Sequence, residues 1–505
     1  MSFKRLVLVL AMMLAMFSLG ANNPFASPVL IKLELKDQTD YQKAKALNVL
    51  AYHRFDNLFI AEAEKSNLQA LEDAGLSYQI IDEKPWTESY YVISPSERCE
   101  EVDLSRYGKI LVQTGNFYFL KISDEGARSL AGKGYYIVKV FRHVIPFKYK
   151  PVTKELPKAL PYYPSIDFLL SLISQDSLYA WNLRLQNFRT RYSYIDSIYR
   201  ARDWLFNKFK SFGIDSVWNH HYYWDSDQYN VVATVVGTVK PDKLIVVGGH
   251  YDSVVYGSGN PYVWAPGADD NGSGTVATLE MARIIGQYPL PVTVIFVPFA
   301  QEEQGLIGSD YFAQYLQNQG ADLYLMENAD MIAHNLDAHT AVKIYAASSA
   351  VEFVNIMINM ANTYTYLNAS YAGQSSGSDH YSFYQHGYDA VFSSEGDFFN
   401  NGWHKNYDVV DSLNFGYMKE VVKMDLATLI SVARSIGYII GDPNTDSVTD
   451  ITDVIFLLNY LFIEGPPPDP FYTGDVTCDG QITIEDVVFL VNYLFVNGPA
   501  PPASC

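Results

Sequence analysis

The stretch Gly248-Gly249-His250-Tyr251-Asp252-Ser253 follows a short apolar run, so it stands at the end of a predicted buried strand. Further along, Asp269-Asp270-Asn271-Gly272 opens a helical pattern. A second apolar run, Val292 to Phe299, leads into Glu302-Glu303. In open α/β sheets, ligand and metal sites gather at the carboxyl ends of strands. Because imidazole together with carboxylates suits zinc, this order of residues predicts a zinc site.

Two later stretches supply further ligand types. Leu323 to Met331 is typical of another strand, and Asp330 stands at its end. Gly402 to Asp408 is predicted to be a loop before the last long helix, and it contains His404. Each of these pieces alone is more often a turn, a helix cap or a solvated surface than a site. Their occurrence together, each at the end of an element, favours metal binding.

Predicted strands and helices alternate between residues 165 and 440, which is the pattern of an α/β domain. Helices are expected at Ile166 to Gln186, Ser193 to Phe212, Thr275 to Ile285, Val351 to Tyr366 and Tyr417 to Ile440. Further strands are expected at Tyr229 to Gly237, Val342 to Ala346 and Ala390 to Ser393. We therefore predict a mixed β-sheet sandwiched by helices.

The same region resembles the secreted co-catalytic zinc aminopeptidases of the bacterial leucyl aminopeptidase type, which have the zinc exopeptidase fold. The resemblance extends from about Ile166 to Ile440. It rests on motifs in the order of that family: Gly248 to Ser253, Pro266 to Gly274, Glu302 to Ser309, Asn328 to Met331, Ser378 to Phe383 and His404. It implies an enzyme that hydrolyses peptide bonds, and it favours the removal of N-terminal residues.

The resemblance also implies a zinc ligand set. It places His250 on one of two Zn²⁺ ions and His404 on the other. Asp270 would bridge the two ions. Glu303 would bind on one side of this bridge and Asp330 on the other.

Two further residues have roles beside the metal ions in that family. The resemblance implies that Asp252 orients His250, as carboxylates beside ligating histidines commonly do. It also implies that Glu302 is the general base for a water that bridges the two zinc ions. In some relatives a tyrosine helps to polarise the substrate carbonyl, and here Trp403 stands at its position. That auxiliary role is therefore not implied for this chain.

Three alternatives to an aminopeptidase remain open at this point. A carboxypeptidase and a glutaminyl-cyclase-like enzyme are both compatible with the same fold. Such cyclases use one zinc ion, so a complete set of five ligands argues against them. A catalytically inactive binding protein would keep only the fold, and the presence of Glu302 argues against it. Profiling of substrates with and without zinc would distinguish these alternatives.

The amino terminus and the overall charge indicate where the protein acts. Residues 1–21 have Lys4 and Arg5 before the apolar run Leu6 to Phe17, which is typical of a signal peptide. We therefore expect a secreted, periplasmic or cell-surface-attached protein with no membrane span after signal removal. The 505-residue chain has 56 acidic and 36 basic residues and a formal net charge of −20. This acidity argues against a nucleic acid as a partner.

Residues 22–145 are predicted to form a separate α+β domain with an internal repeat. Phe55 to Asp82 aligns without gaps with Thr114 to Phe141, and each copy is predicted to be strand, helix, glycine and strand. We consider this domain either a packing or binding domain or a prosegment that covers the active site. Residues 146–164 contain five prolines and are predicted to be a linker.

Residues 441–505 contain two twelve-residue acidic loops, each followed by a nearly identical helical pattern. Oxygen ligands at such spacing suit Ca²⁺. The pair resembles a small all-α dockerin-type module, which implies a cohesin-like or cell-surface partner besides peptide or protein substrates. The candidate calcium ligands are Asp442, Asn444, Asp446, Asp450 and Asp453 in the first loop and Asp475, Thr477, Asp479, Thr483 and Asp486 in the second.

Overall fold

The computed structural model describes residues 28–96, 99–148, 164–257, 259–334, 340–396, 402–446, 448–468 and 471–502. The predicted signal peptide and most of the predicted linker lie outside the described residues. The chain forms two compact units, Met1–Lys150 and Pro151–Cys505. None of the described helices combines the length and the apolar character needed to cross a bilayer.

The first unit contains two four-stranded antiparallel sheets with the same strand order. The first sheet has the order β2-β3-β1-β4 and the second has the order β6-β7-β5-β8. The strands are β1 Pro28–Glu34, β2 Leu50–Phe55, β3 Leu58–Glu64, β4 Ser77–Asp82, β5 Tyr90–Pro95, β6 Gly108–Thr114, β7 Phe117–Ile122 and β8 Tyr135–Val140. The helices are α1 Gln38–Ala46, α2 Leu68–Asp73 and α3 Asp124–Ala131.

The two sequence repeats correspond to β3-α2-β4 and to β7-α3-β8. Gly75 follows α2 with φ +76°, and Gly134 follows α3 with φ +84°. This left-handed conformation lets each helix end and the chain turn into the next strand, and glycine adopts it without steric cost. Phe147 packs on the core of the first sheet, within the region predicted to be linker.

The second unit is built on one eight-stranded mixed sheet, which confirms the predicted fold class of the catalytic region. The strand order is β15-β14-β16-β13-β11-β12-β10-β9. Strands β16, β13, β11 and β12 are parallel, and the neighbours on both sides pair antiparallel with them. The strands are β9 Ser216–Tyr223, β10 Asp227–Val235, β11 Lys240–His250, β12 Val292–Phe299, β13 Asp322–Ala329, β14 Ala341–Ala346, β15 Asn368–Tyr371 and β16 Ala390–Glu395.

Helices cover both faces of this sheet. They are α4 Pro164–Ser171, α5 Gln175–Gln186, α6 Ser197–Ser211, α7 Gly274–Gln287, α8 Ile307–Asn318, α9 Val351–Tyr364, α10 His380–Gln385 and α11 Phe415–Gly437. Phe296 of β12 faces the core shared with α7, α9 and α11, whereas Ile295 and Val297 face the core shared with α8 and α10. The central strands are therefore buried on both faces, which explains their continuous apolar sequence.

The predicted helix Ile166 to Gln186 is interrupted, and this is a correction. The chain leaves the helix after Ser171, and Ser174 becomes the N-cap of α5 by accepting from the N–H of Ser177. The N–H of Ser174 donates to Glu280 Oε1 at 2.6 Å, so a distant buried carboxylate holds the break in place.

Two further helices end the described chain, α12 Ile451–Phe462 and α13 Ile484–Phe495. They pack against each other through Leu457 and Leu490. Phe471 and Tyr472, between the two helices, pack against the core of the catalytic region. The dockerin-type nature of this segment stays a prediction.

Candidate metal centre

The predicted zinc ligands come from five separate segments at one edge of the sheet. His250 is the last residue of β11, and Asp330 directly follows β13. Glu303 lies in the turn after β12, and Asp270 lies in an irregular segment directly before α7. His404 lies in the loop before α11. Because β11, β12 and β13 are adjacent and parallel, their carboxyl ends bring these side chains together.

Asp270 lies between the two histidines. Its Oδ1 lies 3.3 Å from Nε2 of His250, and its Oδ2 lies 3.3 Å from Nε2 of His404. Asp330 Oδ2 lies 3.5 Å from His250 Nε2. Glu303 Oε2 lies 3.0 Å from His404 Nε2. The structure therefore brings all five predicted ligands together, in two groups that share Asp270.

Among the described residues, two sets of three side chains could each hold a metal ion. Within each set, the three ligand atoms lie within 4.8 Å of one another. One set is His250, Glu302 and Asp330, and the other is His250, Asp270 and Glu303. Glu302 Oε2 lies 3.8 Å from His250 Nε2, farther than Asp270 Oδ1 at 3.3 Å and Asp330 Oδ2 at 3.5 Å. Its side chain is 11% exposed, against 3% for Glu303. Glu302 is thus the more open member of the acidic pair.

Several buried side-chain atoms of the site have no hydrogen-bond partner, which suits the binding of a cation. Among the described residues, His250 Nε2, Asp270 Oδ2, Glu303 Oε1 and Asp330 Oδ1 are buried without a hydrogen-bond partner. A buried polar atom without a partner costs roughly 1–3 kcal/mol, and a carboxylate costs more. Metal ions would bind these lone pairs, and imidazole with carboxylate is a donor set that fits zinc.

The pKa values of the site reflect crowded negative charge in a buried place. Burial raises the pKa of Glu302 and of Glu303 well above the ordinary range, and neighbouring carboxylates raise both further. Burial alone would also raise the pKa of Asp270, but the nearby histidines and a buried arginine lower it overall. Burial lowers the pKa of His404 to about 4, which leaves this imidazole neutral and able to bind a metal ion.

Asp252 connects two of the ligand segments. Its Oδ1 lies 3.4 Å from Nδ1 of His250, as expected for a residue that orients this ring. The N–H of Glu302 donates to Asp252 Oδ1 at 3.1 Å, and that of Glu303 donates to Oδ2 at 3.3 Å. Asp252 therefore also fixes the turn that carries the acidic pair, which the sequence did not indicate.

Arg191 is a second connecting residue, and the sequence predicted no role for it. Its fully buried guanidinium donates to the carbonyl oxygens of Tyr251, Pro266 and Gly267, each at 2.7 Å. These hydrogen bonds join the chain after His250 to the chain before Asp270. No local signal marks this arginine, since its partners are backbone groups distant in sequence.

The loop around Ser378 positions the predicted metal ligand Asp330. Ser378 Oγ donates to Asp330 Oδ2 at 2.7 Å and accepts from Asn328 Nδ2 at 2.7 Å. Ser378, Asp379 and His380 are all buried. This loop therefore fixes the orientation of the Asp330 carboxylate.

Trp403 stacks on His404. Their ring centroids lie 4.2 Å apart with an interplanar angle of 28°. Tyr256 meets the same imidazole edge to face, with centroids 5.1 Å apart. The two aromatic rings restrict the rotation of His404 and make the adjacent surface apolar.

The two predicted calcium loops have matching hydrogen bonds. Asp442 accepts from the N–H of Asp446, and Asp475 accepts from that of Asp479. The last acid of each loop, Asp453 or Asp486, accepts from backbone N–H groups of its own loop and buries its carboxylate.

The structure turns two of the predicted calcium ligands towards the helix ends instead. Asp450 caps α12 by accepting from the N–H of Thr452, and Thr483 caps α13 by accepting from that of Glu485. Within the described part of the chain, neither loop brings three acidic oxygens within 4.8 Å of one another. The calcium sites stay a prediction.

Comparisons with known proteins agree with this geometry. The family model of peptidase family M28 matches residues 230–429. A "Leucine aminopeptidase 1" of Ajellomyces capsulatus is 30% identical over 313 residues, which cover 57% of this chain and 79% of that protein. A "Probable zinc metalloprotease" of Pyrenophora teres is 34% identical over 208 residues, which cover 36% of this chain and 44% of that protein.

A solved structure shows the same fold. The LapA aminopeptidase of Legionella pneumophila superposes with a TM-score of 0.56 at 20% identity, covering 69% of this chain and 99% of that one. The mixed sheet and the cluster of histidines and acids at its edge define a zinc metallopeptidase. The chain belongs to peptidase family M28.

Proposed function

We propose that this chain is an exported exopeptidase that removes residues from the amino terminus of peptides with two zinc ions. The observation that carries the proposal is the position of Asp270, which directs one carboxylate oxygen to His250 and the other to His404, each at 3.3 Å. A carboxylate between two imidazoles suits a bridge between two metal ions. His250 with Asp330 would hold one ion, and His404 with Glu303 would hold the other.

Zinc bound at such a pair polarises the scissile carbonyl and lowers the pKa of water. The protein supplies the proton transfer. Glu302 would accept a proton from the attacking water and donate it to the leaving amine. Two observations support this role. The Glu302 side chain is more exposed than that of Glu303, and the N–H of Glu302 is held by a hydrogen bond to Asp252.

The charge of the site favours an amino terminus over a carboxyl terminus. Asp252, Asp270, Glu302, Glu303 and Asp330 lie close together, and two zinc ions offset only part of their charge. Such a field attracts an α-ammonium group and repels an α-carboxylate. The similarity to a leucine aminopeptidase supports the same direction.

Matched variants of the acidic pair test the assignment of the base. Glu302→Gln should keep two zinc ions and lose about 10²–10⁴-fold in kcat on an aminoacyl peptide. Glu303→Gln should lose zinc, measured by elemental analysis after gel filtration. Cleavage of N-acetylated peptides at the same rate as free peptides, or zinc loss in the Glu302 variant only, would contradict the proposal.

The carboxy-terminal segment would bind calcium and dock on a cohesin-like or cell-surface partner. The two helices expose apolar side chains at matching positions: Ile451, Ile455 and Phe462 on α12 and Ile484, Val488 and Phe495 on α13. A duplicated apolar surface of this kind supports a docking role. Titration of the full chain with a cohesin domain, with calcium and with chelator, tests it. If the chain fails to bind the cohesin domain with calcium as well as with chelator, the docking role is contradicted.

The amino-terminal unit would shield the catalytic site until it is removed. Its support is the sequence order, a repeat domain between a predicted signal peptide and a proline-rich segment. A chain that begins at Pro161 should then hydrolyse peptides at least as fast as the chain that begins at residue 22. A soluble but less active shortened chain would contradict the shielding role.

A further inference from the structure

Asp408 joins the segment that carries His404 to the segment that carries Asp270. Its Oδ1 accepts from the N–H of Asp269 at 2.8 Å, and its Oδ2 accepts from that of Asp270 at 3.0 Å. Its carbonyl oxygen accepts from the N–H of Ala268 at 3.1 Å. Asp408 is 4% exposed and lies four residues after His404. Asp408 thus binds three consecutive N–H groups. It belongs to the loop of residues 402–414 that carries His404, called here the histidine loop.

The remaining ligand segments are connected without Asp408. Arg191 joins the His250 segment to Pro266 and Gly267 through hydrogen bonds of 2.7 Å. Asp252 joins the His250 segment to the turn of Glu302 and Glu303. Removal of Asp408 would therefore leave these segments in place.

Two other hydrogen bonds of the histidine loop lead to a neighbouring loop that carries no ligand. His404 O accepts from the N–H of Tyr256 at 3.1 Å, and Asn406 O accepts from Nε1 of Trp264 at 2.7 Å. These contacts hold the loop near the site but do not fix His404 against Asp270. The distance of 3.3 Å between His404 Nε2 and Asp270 Oδ2 therefore depends on Asp408.

We propose that Asp408 is a positioning residue that aligns His404 with Asp270 and so builds the metal position formed by His404 and Glu303. This inference rests on the proposed two-metal function. A carboxylate is required because both of its oxygens accept from adjacent N–H groups. An asparagine has one oxygen acceptor, and its NH₂ group would face the second N–H.

The test compares zinc binding by wild type, Asp408→Asn and the control Asp411→Asn. Asp411 is exposed in the same loop and binds no ligand segment. Metal-free protein is titrated with zinc against a chromophoric chelator, which gives stoichiometry and both affinities without reference to activity. We expect Asp408→Asn to bind one of the two zinc ions about 10–100-fold less tightly than wild type does, the usual effect of residues that orient ligands. The other zinc affinity and the Asp411→Asn variant should match wild type.

If wild type binds zinc in two steps and both are unchanged in Asp408→Asn, the positioning role is wrong but the two-metal function stands. A wild type that binds one zinc would overturn the two-metal function and the inference with it. If Asp408→Asn does not fold, hydrogen exchange of the wild-type chain without zinc decides the matter. The amides of Asp269 and Asp270 should be protected from exchange before zinc is added, and rapid exchange at both would refute the positioning role.

Discussion

Asp252 Oδ1 lies 3.4 Å from Nδ1 of His250, and the Asp252 side chain is fully buried. It also accepts from the backbone N–H groups of Glu302 and Glu303. The orientation of a ligating histidine and the position of the acidic turn therefore depend on one carboxylate.

Replacement of this carboxylate should weaken metal binding and catalysis together. We expect Asp252→Asn to lower zinc affinity by about 10–100-fold and to lower kcat even at saturating zinc, since the acidic turn would shift. Asp242→Asn is the control, because Asp242 is an exposed residue of β11, the strand that ends at His250. Unchanged zinc affinity in the Asp252 variant, measured by chelator competition, would contradict the role given to this residue.

Gly274 at the start of α7 lies against the end of β13. A Cβ atom built there would lie 1.9 Å from the carbonyl oxygen of Ala329, the residue before Asp330. Gly274→Ala should therefore destabilise the chain by about 1–3 kcal/mol and displace Asp330, which lowers zinc affinity. Gly286→Ala in the same helix meets Cγ1 of Ile214 at 3.1 Å, a smaller overlap than at Gly274, and should cost less stability. Thermal unfolding of both variants tests this, and equal losses would contradict it.

Much of the sheet could be predicted because its central strands are continuous apolar runs. The predicted strand Val292 to Phe299 matches β12 residue for residue. Strand β9, Ser216–Tyr223, was not predicted, because its mix of polar and aromatic residues has no clear period at the edge of a sheet. The predicted helix Ile166 to Gln186 failed at Ser174, where a hydrogen bond to Glu280 decides the local structure.

The candidate zinc ligands and Asp252, which supports His250, could be predicted, but the supporting roles of Asp408 and Arg191 could not. Asp408 and Arg191 act through backbone groups far away in sequence, so no spacing marks them. His404 itself has φ +54°, a conformation that is unusual for a side chain other than glycine. Contacts from other segments impose this backbone, and a local sequence pattern does not contain them.

Glu327 and Asp425 are buried carboxyl groups on opposite sides of the interface between β13 and α11. Burial raises the pKa of Asp425 to about 7, and burial with the charge of Asp425 raises the pKa of Glu327 well above its usual range. Each raised pKa means that the folded chain holds protons that the unfolded chain releases. Both groups therefore reduce stability as pH rises from the unfolded pKa, near 4, through the folded one.

Asp425→Asn should remove much of this pH dependence. Relative to wild type, the zinc-free variant should gain stability as pH rises from 4 to 8, with a ceiling of ~4 kcal/mol because each pKa unit corresponds to about 1.4 kcal/mol. Urea unfolding at several pH values measures the difference, with the exposed Asp176→Asn as control. A stability difference that is constant with pH would contradict the protonated state of this pair.

Calcium should stabilise the carboxy-terminal segment of the full chain. Asp442 and Asp446 add negative charge beside the buried Asp453, and a cation would relieve their repulsion. At free calcium about 100 times the Kd, we expect a gain of about 2.7 kcal/mol in the unfolding of this segment. Asp475→Asn should reduce the gain, and the exposed Glu485→Gln should not. A calorimetric transition that is unchanged by calcium would contradict the prediction.

The most direct test of the two-metal site is anomalous diffraction at the zinc absorption edge from crystals of the zinc-loaded protein. We expect two zinc peaks, one on either side of the Asp270 carboxylate. One should lie beside His250 and Asp330, and the other should lie beside His404 and Glu303. A single peak at full occupancy in active enzyme, or two peaks that do not share Asp270, would contradict the central claim.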